Sequence, residues 1–209
     1  MLLGAFREDP DKAPLATPSR RIELYSERIA GFGYEDYPPH ASWLEPAEWL
    51  GAEEAKDFPL HLVSSQPRHR LHSQMDDGPI SALGKVAGRE AVAISPLDAA
   101  ARGIAEGDVV RVFNRRGECL AGATLTDAVR PGVIRLSCGA WYDPADSGET
   151  PICAHGNANL LTFDRGTSRL GQGPSSATVL VEVERWAKPV PAVRAFVPPA
   201  VKSEEQMAK

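Results

Sequence analysis

The sequence predicts a mainly β protein, a compact barrel or sandwich with few short helices. Three observations predict it. At least six short runs rich in Val, Ile and Leu are separated by turn residues, two long polar loops interrupt them, and only one stretch carries a full helix start.

Residues 1–57 read as an extended leader, rich in Pro and aromatic residues and without a steady period. Inside it RRIELYSER alternates Ile22 and Leu24 with polar neighbours, which predicts one short strand. The barrel is expected over 58–186. FPLHLVSS, from Phe58, is a buried-type strand, and REAVAIS, from Arg89, is a second with Val92 and Ile94 on one face. SPLDAAARGIAEGD predicts a helix: Ser95 suits the N-cap, Pro96 the first helical position and Gly103 the C-terminal cap. DVVRVFN and GECLAGATLT form a hairpin through Asn114, Arg115, Arg116 and Gly117. RPGVIRLSCGAW starts after Pro131-Gly132, and SATVLVEVERW alternates at Val179, Val181 and Val183. The Pro-rich tail, 187–209, is expected to pack in extended form on a surface and to end in disorder.

Composition excludes several classes. The chain has 209 residues and a formal net charge of -5, so no basic footprint for nucleic acid is present. No apolar run approaches the roughly 20 residues that span a bilayer, so no membrane partner is expected. Three cysteines are too few and odd for a disulfide framework. Motifs for nucleoside triphosphate, dinucleotide, serine nucleophile, zinc and calcium sites are absent. Cys138, Cys153 and His155 match no common zinc spacing, so no metal ligand is assigned.

Two constellations remain. In SSQPRHRLHSQ, Arg and His donors stand beside Ser and Gln groups, and Arg70 and His72 share one side of an extended loop. In HGNANLLTFDRGTSRLGQGP, Asn157 and Asn159 share a side and offer both donors and acceptors, as the edge of a pterin or purine requires. Gly156, Gly166, Gly171 and Gly173 would let backbone N–H groups approach a ligand. The plainer readings are a solvated charged loop for the first, and for the second a loop whose Asn side chains cap its own backbone.

The succession VAISPLDAAARGIAEGDVVRVFNRRGECLAGATLTDAVRPGVIRLSCGAW resembles the C-terminal domain of the molybdopterin guanine dinucleotide oxidoreductases. RLHSQ, HGNANLLT and GTSRLGQG are most similar to the dimethyl sulfoxide, trimethylamine N-oxide and biotin sulfoxide reductase group. The leader, FREDPDKAPLATPSRRIELYSERIAGFGYEDYPPH, is similar to the segment that enters that domain, so the resemblance runs from about Phe6 to Trp186.

The resemblance implies a six-stranded double-psi β-barrel, the last domain of a larger enzyme that holds a molybdenum bis(molybdopterin guanine dinucleotide) cofactor. It implies one contact loop of Gln66, Arg70, Leu71, His72, Ser73 and Gln74. It implies a second of His155, Gly156, Asn157, Asn159 and Thr162, completed by Arg169 and Gln172. Gln66 and Ala158 depart from residues common in the family at those places. The complete enzyme would reduce an S-oxide or N-oxide by two electrons in a bacterial cytoplasm or periplasm. Its molybdenum ligand, substrate funnel and most guanine contacts would belong to other domains, which are the expected partners. No catalytic residue is therefore assigned, and the chain by itself is expected to be inactive. The alternative is a free-standing double-psi module that binds a nucleotide, a pterin or a protein.

Overall fold

A computed structural model of the chain describes residues 2–145, 152–175 and 177–198. They fall into two compact units, Pro46–Asp164 with Ser175–Lys209, and a smaller unit of Met1–Glu45 with Arg165–Pro174.

The larger unit holds nine strands: β1 (Leu60–Val63), β2 (Lys85–Val86), β3 (Arg89–Ile94), β4 (Val109–Phe113), β5 (Glu118–Leu125), β6 (Val133–Leu136), β7 (Pro144–Ala145), β8 (Ile152–Cys153) and β9 (Val179–Arg185). Six close a ring in the order β1, β6, β3, β5, β4, β9 and back to β1. β1/β6 and β3/β5 are parallel, and the other neighbours in the ring are antiparallel. Exchanging the first three ring strands along the chain (β1, β3, β4) with the last three (β5, β6, β9) reproduces the same ring and the same parallel pairs. That internal twofold, with crossed connections between parallel strands, is the double-psi barrel. Closure leaves the six strands no open edge. β2 pairs outside the ring with β3, while β8 pairs with β5 at Cys119, beyond the β3 register.

The period-two pattern sets the core. Leu60, Leu62, Val92, Ile94, Val110, Val112, Ile134, Leu136, Val179, Val181 and Val183 all point inward and are buried. Each such side chain contributes about 1.5–3 kcal/mol by leaving water. On β9 the expected alternation is incomplete, because Leu180 is also buried. Its N–H donates to Glu48 at 2.7 Å and its carbonyl accepts from Asn114 at 3.1 Å. The Arg116 guanidinium then forks onto Glu48 at 2.6 and 3.0 Å. A carboxylate from far upstream thus covers the outer face of the strand.

The helix is Pro96–Ala101, and the Ser95 hydroxyl accepts from Asp98 N–H at 3.1 Å. Gly103 follows its end with φ 62°. In the β4–β5 turn, Asn114 N–H donates to the Gly117 carbonyl at 3.1 Å. The tail lies on this unit: Arg194 N–H donates to Asp143 at 2.6 Å, and Arg89 donates to the Pro191 carbonyl. The disorder expected at the tail's end concerns residues from 199 on, outside the described residues.

The smaller unit contains no β-strand among its described residues. RRIELYSER, expected as a strand, is irregular, bent backbone that leads into the helix Glu27–Ala30, with Ile22 and Leu24 exposed. Local bonds take the place of a ladder. Thr17 Oγ1 donates to the Arg21 carbonyl at 2.6 Å, Glu23 accepts from Ser19 N–H at 2.9 Å, and the Ser26 hydroxyl caps the helix. A two-residue alternation cannot form a strand without a partner and an apolar layer to face.

Candidate functional site

The loop that leaves β1 makes a tight turn at Leu71–Gln74, closed by Gln74 N–H donating to the Leu71 carbonyl at 2.9 Å. His72 sits at its corner with φ 49°, a conformation a non-glycine residue adopts only under constraint. The constraint comes from the loop after β6. Gly139 has φ 88°, and a Cβ there would stand 2.2 Å from the His72 carbonyl oxygen, so the two backbones touch. Trp141 Nε1 donates to the Ser73 carbonyl at 2.8 Å.

After β8 the chain turns at Gly156, where φ is 91° and a Cβ would come within 2.7 Å of Glu90 Cβ. Asn157 then caps a short 3-10 turn, its Oδ1 accepting from Asn159 N–H at 2.9 Å. Thr162 donates to the Asn159 carbonyl at 3.2 Å and so holds this turn from below.

These loops line an open cavity of about 470 Å³, with His72, Ser73, Asn157 and Asn159 beside the wall Cys138–Tyr142. Gln66 Nε2 lies 3.0 Å from His72 Nδ1, and Cys138 Sγ lies 3.9 Å from the same nitrogen. Trp141 and Tyr142 are half exposed, offering flat apolar surface beside the amides.

Of the residues that sequence reasoning assigned, His72, Ser73, Asn157 and Asn159 meet in this cavity. Leu71 and Gln74 are exposed at the same turn. Gln66 and Arg70 line a second cavity of about 360 Å³ across the loop, together with Arg68, His69 and Arg135. His155 is fully buried. Arg169 and Gln172 belong to the smaller unit, where Arg169 lies over Tyr34 at 4.6 Å and Gln172 Nε2 donates to the Ser168 carbonyl at 2.8 Å. The Cys138–Tyr142 wall was missed. Its one local signal was a Gly and two aromatic residues directly after a strand.

Beneath the cavity lies a buried charge cluster that the sequence did not announce. Lys85 Nζ stands 2.6 Å from Asp76 and 3.2 Å from Glu90, and Arg70 stands 3.3 Å from Asp76 and 3.1 Å from Glu90. All four side chains are at most 7% exposed, and the two positive and two negative charges cancel. Burial opposes ionisation of Asp76, but the Lys85 hydrogen bond, the Trp141 N–H and the nearby positive charges hold its pKa below the usual value.

His155 Nδ1 lies 3.1 Å from the Trp141 carbonyl, to which it donates, and Nε2 has no hydrogen-bond partner among the described residues. Burial, then Lys85, lowers its pKa from 6.5, so the ring is neutral. Among the described residues no cluster of three His, Cys, Asp or Glu side chains could hold a metal ion. Nor is any helix long and apolar enough to cross a membrane.

What the cavity offers is recognition. A flat ligand with mixed donors and acceptors along its edge would meet amides, a hydroxyl and an imidazole, with aromatic surface beside it. The volume falls within the range of about 300–1,000 Å³ usual for small-molecule and cofactor sites.

Comparison with known proteins identifies the family. Residues 60–180 match the family model described as Molydopterin dinucleotide binding domain. The chain is 52% identical over 183 residues to the dimethyl sulfoxide/trimethylamine N-oxide reductase of Cereibacter sphaeroides, covering 87% of this chain and 22% of that protein. It is 50% identical over 185 residues to the biotin sulfoxide reductase of the same organism, covering 88% of this chain and 24% of that one. The chain thus spans about a quarter or less of the length of these relatives. Among solved structures, acetylene hydratase from Pelobacter acetylenicus superposes with a TM-score of 0.67 at 21% identity, over 85% of this chain and 25% of that one, a likeness of fold. With a closed double-psi barrel, a polar cavity between its loops and a family model matched over more than half its length, the chain belongs to the molybdopterin dinucleotide-binding domain family.

Proposed function

We propose that this chain is the part of a molybdenum bis(molybdopterin guanine dinucleotide) oxidoreductase that grips a pterin, and that the complete enzyme reduces S-oxides or N-oxides. The observation that carries the reading is the convergence of His72 and Ser73 from one loop with Asn157 and Asn159 from another on one cavity. The donor set fits the group. Neutral amide and hydroxyl groups suit the heterocycle edge, and the close approach at Gly139 holds the loops that present them.

When bound, the molybdenum dithiolene supplies the two-electron redox chemistry. The residues of this chain bind and orient. Asn157 presents its amide NH₂, Ser73 its hydroxyl, and His72 a ring flanked by Gln66 and Cys138. Trp141 and Tyr142 offer flat apolar surface on one side of the cavity. On this reading catalysis rests with the cofactor and the rest of the enzyme. By itself the chain would be inactive.

The test is His72→Ala and Asn157→Ala in the full-length enzyme, read as pterin retained per protein after gel filtration. Each variant loses a hydrogen bond worth about 1–3 kcal/mol, so retention should fall by roughly five- to a hundredfold in affinity. Wild-type retention in both would remove the cavity from the cofactor's binding surface.

A further inference from the structure

We infer that Arg70 is a positioning residue: its buried guanidinium sets the shape of the cavity between His72 and Asn159 by holding the backbones of His72 and Cys138, without lining that cavity itself. The inference rests on the pterin reading of the cavity for its consequence, though not for its geometry.

The guanidinium is 3% exposed, and its donors are taken up within the chain. Nε donates to the His72 carbonyl at 2.9 Å and Nη2 to the Cys138 carbonyl at 3.0 Å. Nη1 reaches the Ser81 hydroxyl at 3.4 Å, and the carboxylates of Asp76 and Glu90 lie at 3.3 and 3.1 Å. One planar group therefore joins the loop after β1, the loop after β6, the start of β3 and the segment before β2.

The two carbonyls it holds belong to residues on the cavity wall. His72 also has a left-handed φ of 49°. Without the Arg70 bond, relaxation of that backbone would carry the imidazole away from Gln66 and Cys138.

A buried ion cluster is weak evidence for added stability, because desolvation offsets much of the attraction. What the cluster supplies here is direction. Asp76 and Glu90, already engaged by Lys85, fix the plane of the guanidinium so that its fork faces two carbonyls at once. Lysine at position 70 would keep the positive charge yet could not reproduce that fork.

The experiment compares Arg70→Lys with Ser81→Ala in the full-length enzyme, prepared with and without cofactor. Ser81→Ala removes a buried hydroxyl of the same cluster and leaves the fork on both carbonyls, so it reports stability alone. The readout is Cys138 alkylation by iodoacetamide, followed by peptide mass spectrometry. Cys138 is half-buried whereas Cys119 and Cys153 are buried.

In the cofactor-free enzyme, R70K should raise the Cys138 alkylation rate by roughly tenfold while S81A leaves it near wild type. In the loaded enzyme, R70K should speed cofactor release by a similar factor. Equal Cys138 rates in R70K, S81A and wild type would overturn the inference, as would equal increases in the two variants. Faster alkylation with unchanged cofactor release would uphold the positioning role and count against the pterin reading. If R70K does not fold, Arg70→Gln serves the same comparison, since it also lacks the full fork.

Discussion

Gly139→Ala tests the close contact on which the cavity depends. An added Cβ would stand 2.2 Å from the His72 carbonyl oxygen and 2.8 Å from Ser73 N, whereas ordinary contact begins near 3.4 Å. The two backbones must therefore part by at least about 1.2 Å. That movement takes the 3.0 Å bond from Arg70 to the Cys138 carbonyl and the 2.8 Å bond from Trp141 to Ser73 out of range. Two lost bonds at about 1 kcal/mol each, plus about 1–3 kcal/mol for Ala at φ 88°, give a destabilisation of about 3–5 kcal/mol.

Gly88→Ala is the control. Its φ is 73°, but nothing lies within 4 Å of the added methyl, so only the backbone term of about 1 kcal/mol remains. Urea denaturation measures both variants, and Cys138 alkylation reports the cavity. G139A should lower the midpoint several times more than G88A and should alone expose Cys138. Equal midpoints, or unchanged Cys138 reactivity in G139A, would refute the reasoning from close approach.

Two further expectations follow from the buried charges. Glu48→Ala removes the acceptor for Leu180 N–H and for both arms of the Arg116 fork, leaving buried donors unpaired, and should cost about 3–5 kcal/mol in a thermal or urea melt; a loss under about 1 kcal/mol would mean the fork is a solvated surface pair. Stability should also depend on pH in two windows. The folded pKa of His155 is below 6.5, so the unfolded chain binds more protons below that pH and stability falls as pH drops through this range. The folded pKa of Asp76 is below 3.8, so its contribution is complete above that pH and is lost as pH falls further. His155→Asn should abolish the first slope; its persistence would place the titration elsewhere.

Much of the barrel was legible in the sequence because its signals are local. Alternation at Val179, Val181 and Val183 marks a core face, and Ser95-Pro96 starts a helix whatever surrounds it. The two polar loops were also visible, since His72, Ser73, Asn157 and Asn159 announce hydrogen-bonding capacity by residue type alone. Which side chains face outward was not visible. Arg70 reads like His72 two residues on, yet the loop folds Asp76, Lys85 and Glu90 onto it and the loop after β6 brings the Cys138 carbonyl, and these partners draw the guanidinium inward.

Tertiary structure decided the remaining features for the same reason. His155 looks like a ligand-binding histidine until Trp141 and Phe196 enclose it, at 3.1 Å from the Trp141 carbonyl and 4.9 Å between ring centroids. RRIELYSER has a strand's alternation but no strand to pair with, so local side-chain bonds shape it instead. By itself the sequence determined the six ring strands, the helix start and the polarity of the loops, because those depend on near neighbours along the chain. Only the fold decided the third wall of the cavity and the direction of its charges, because their partners meet across the closed ring.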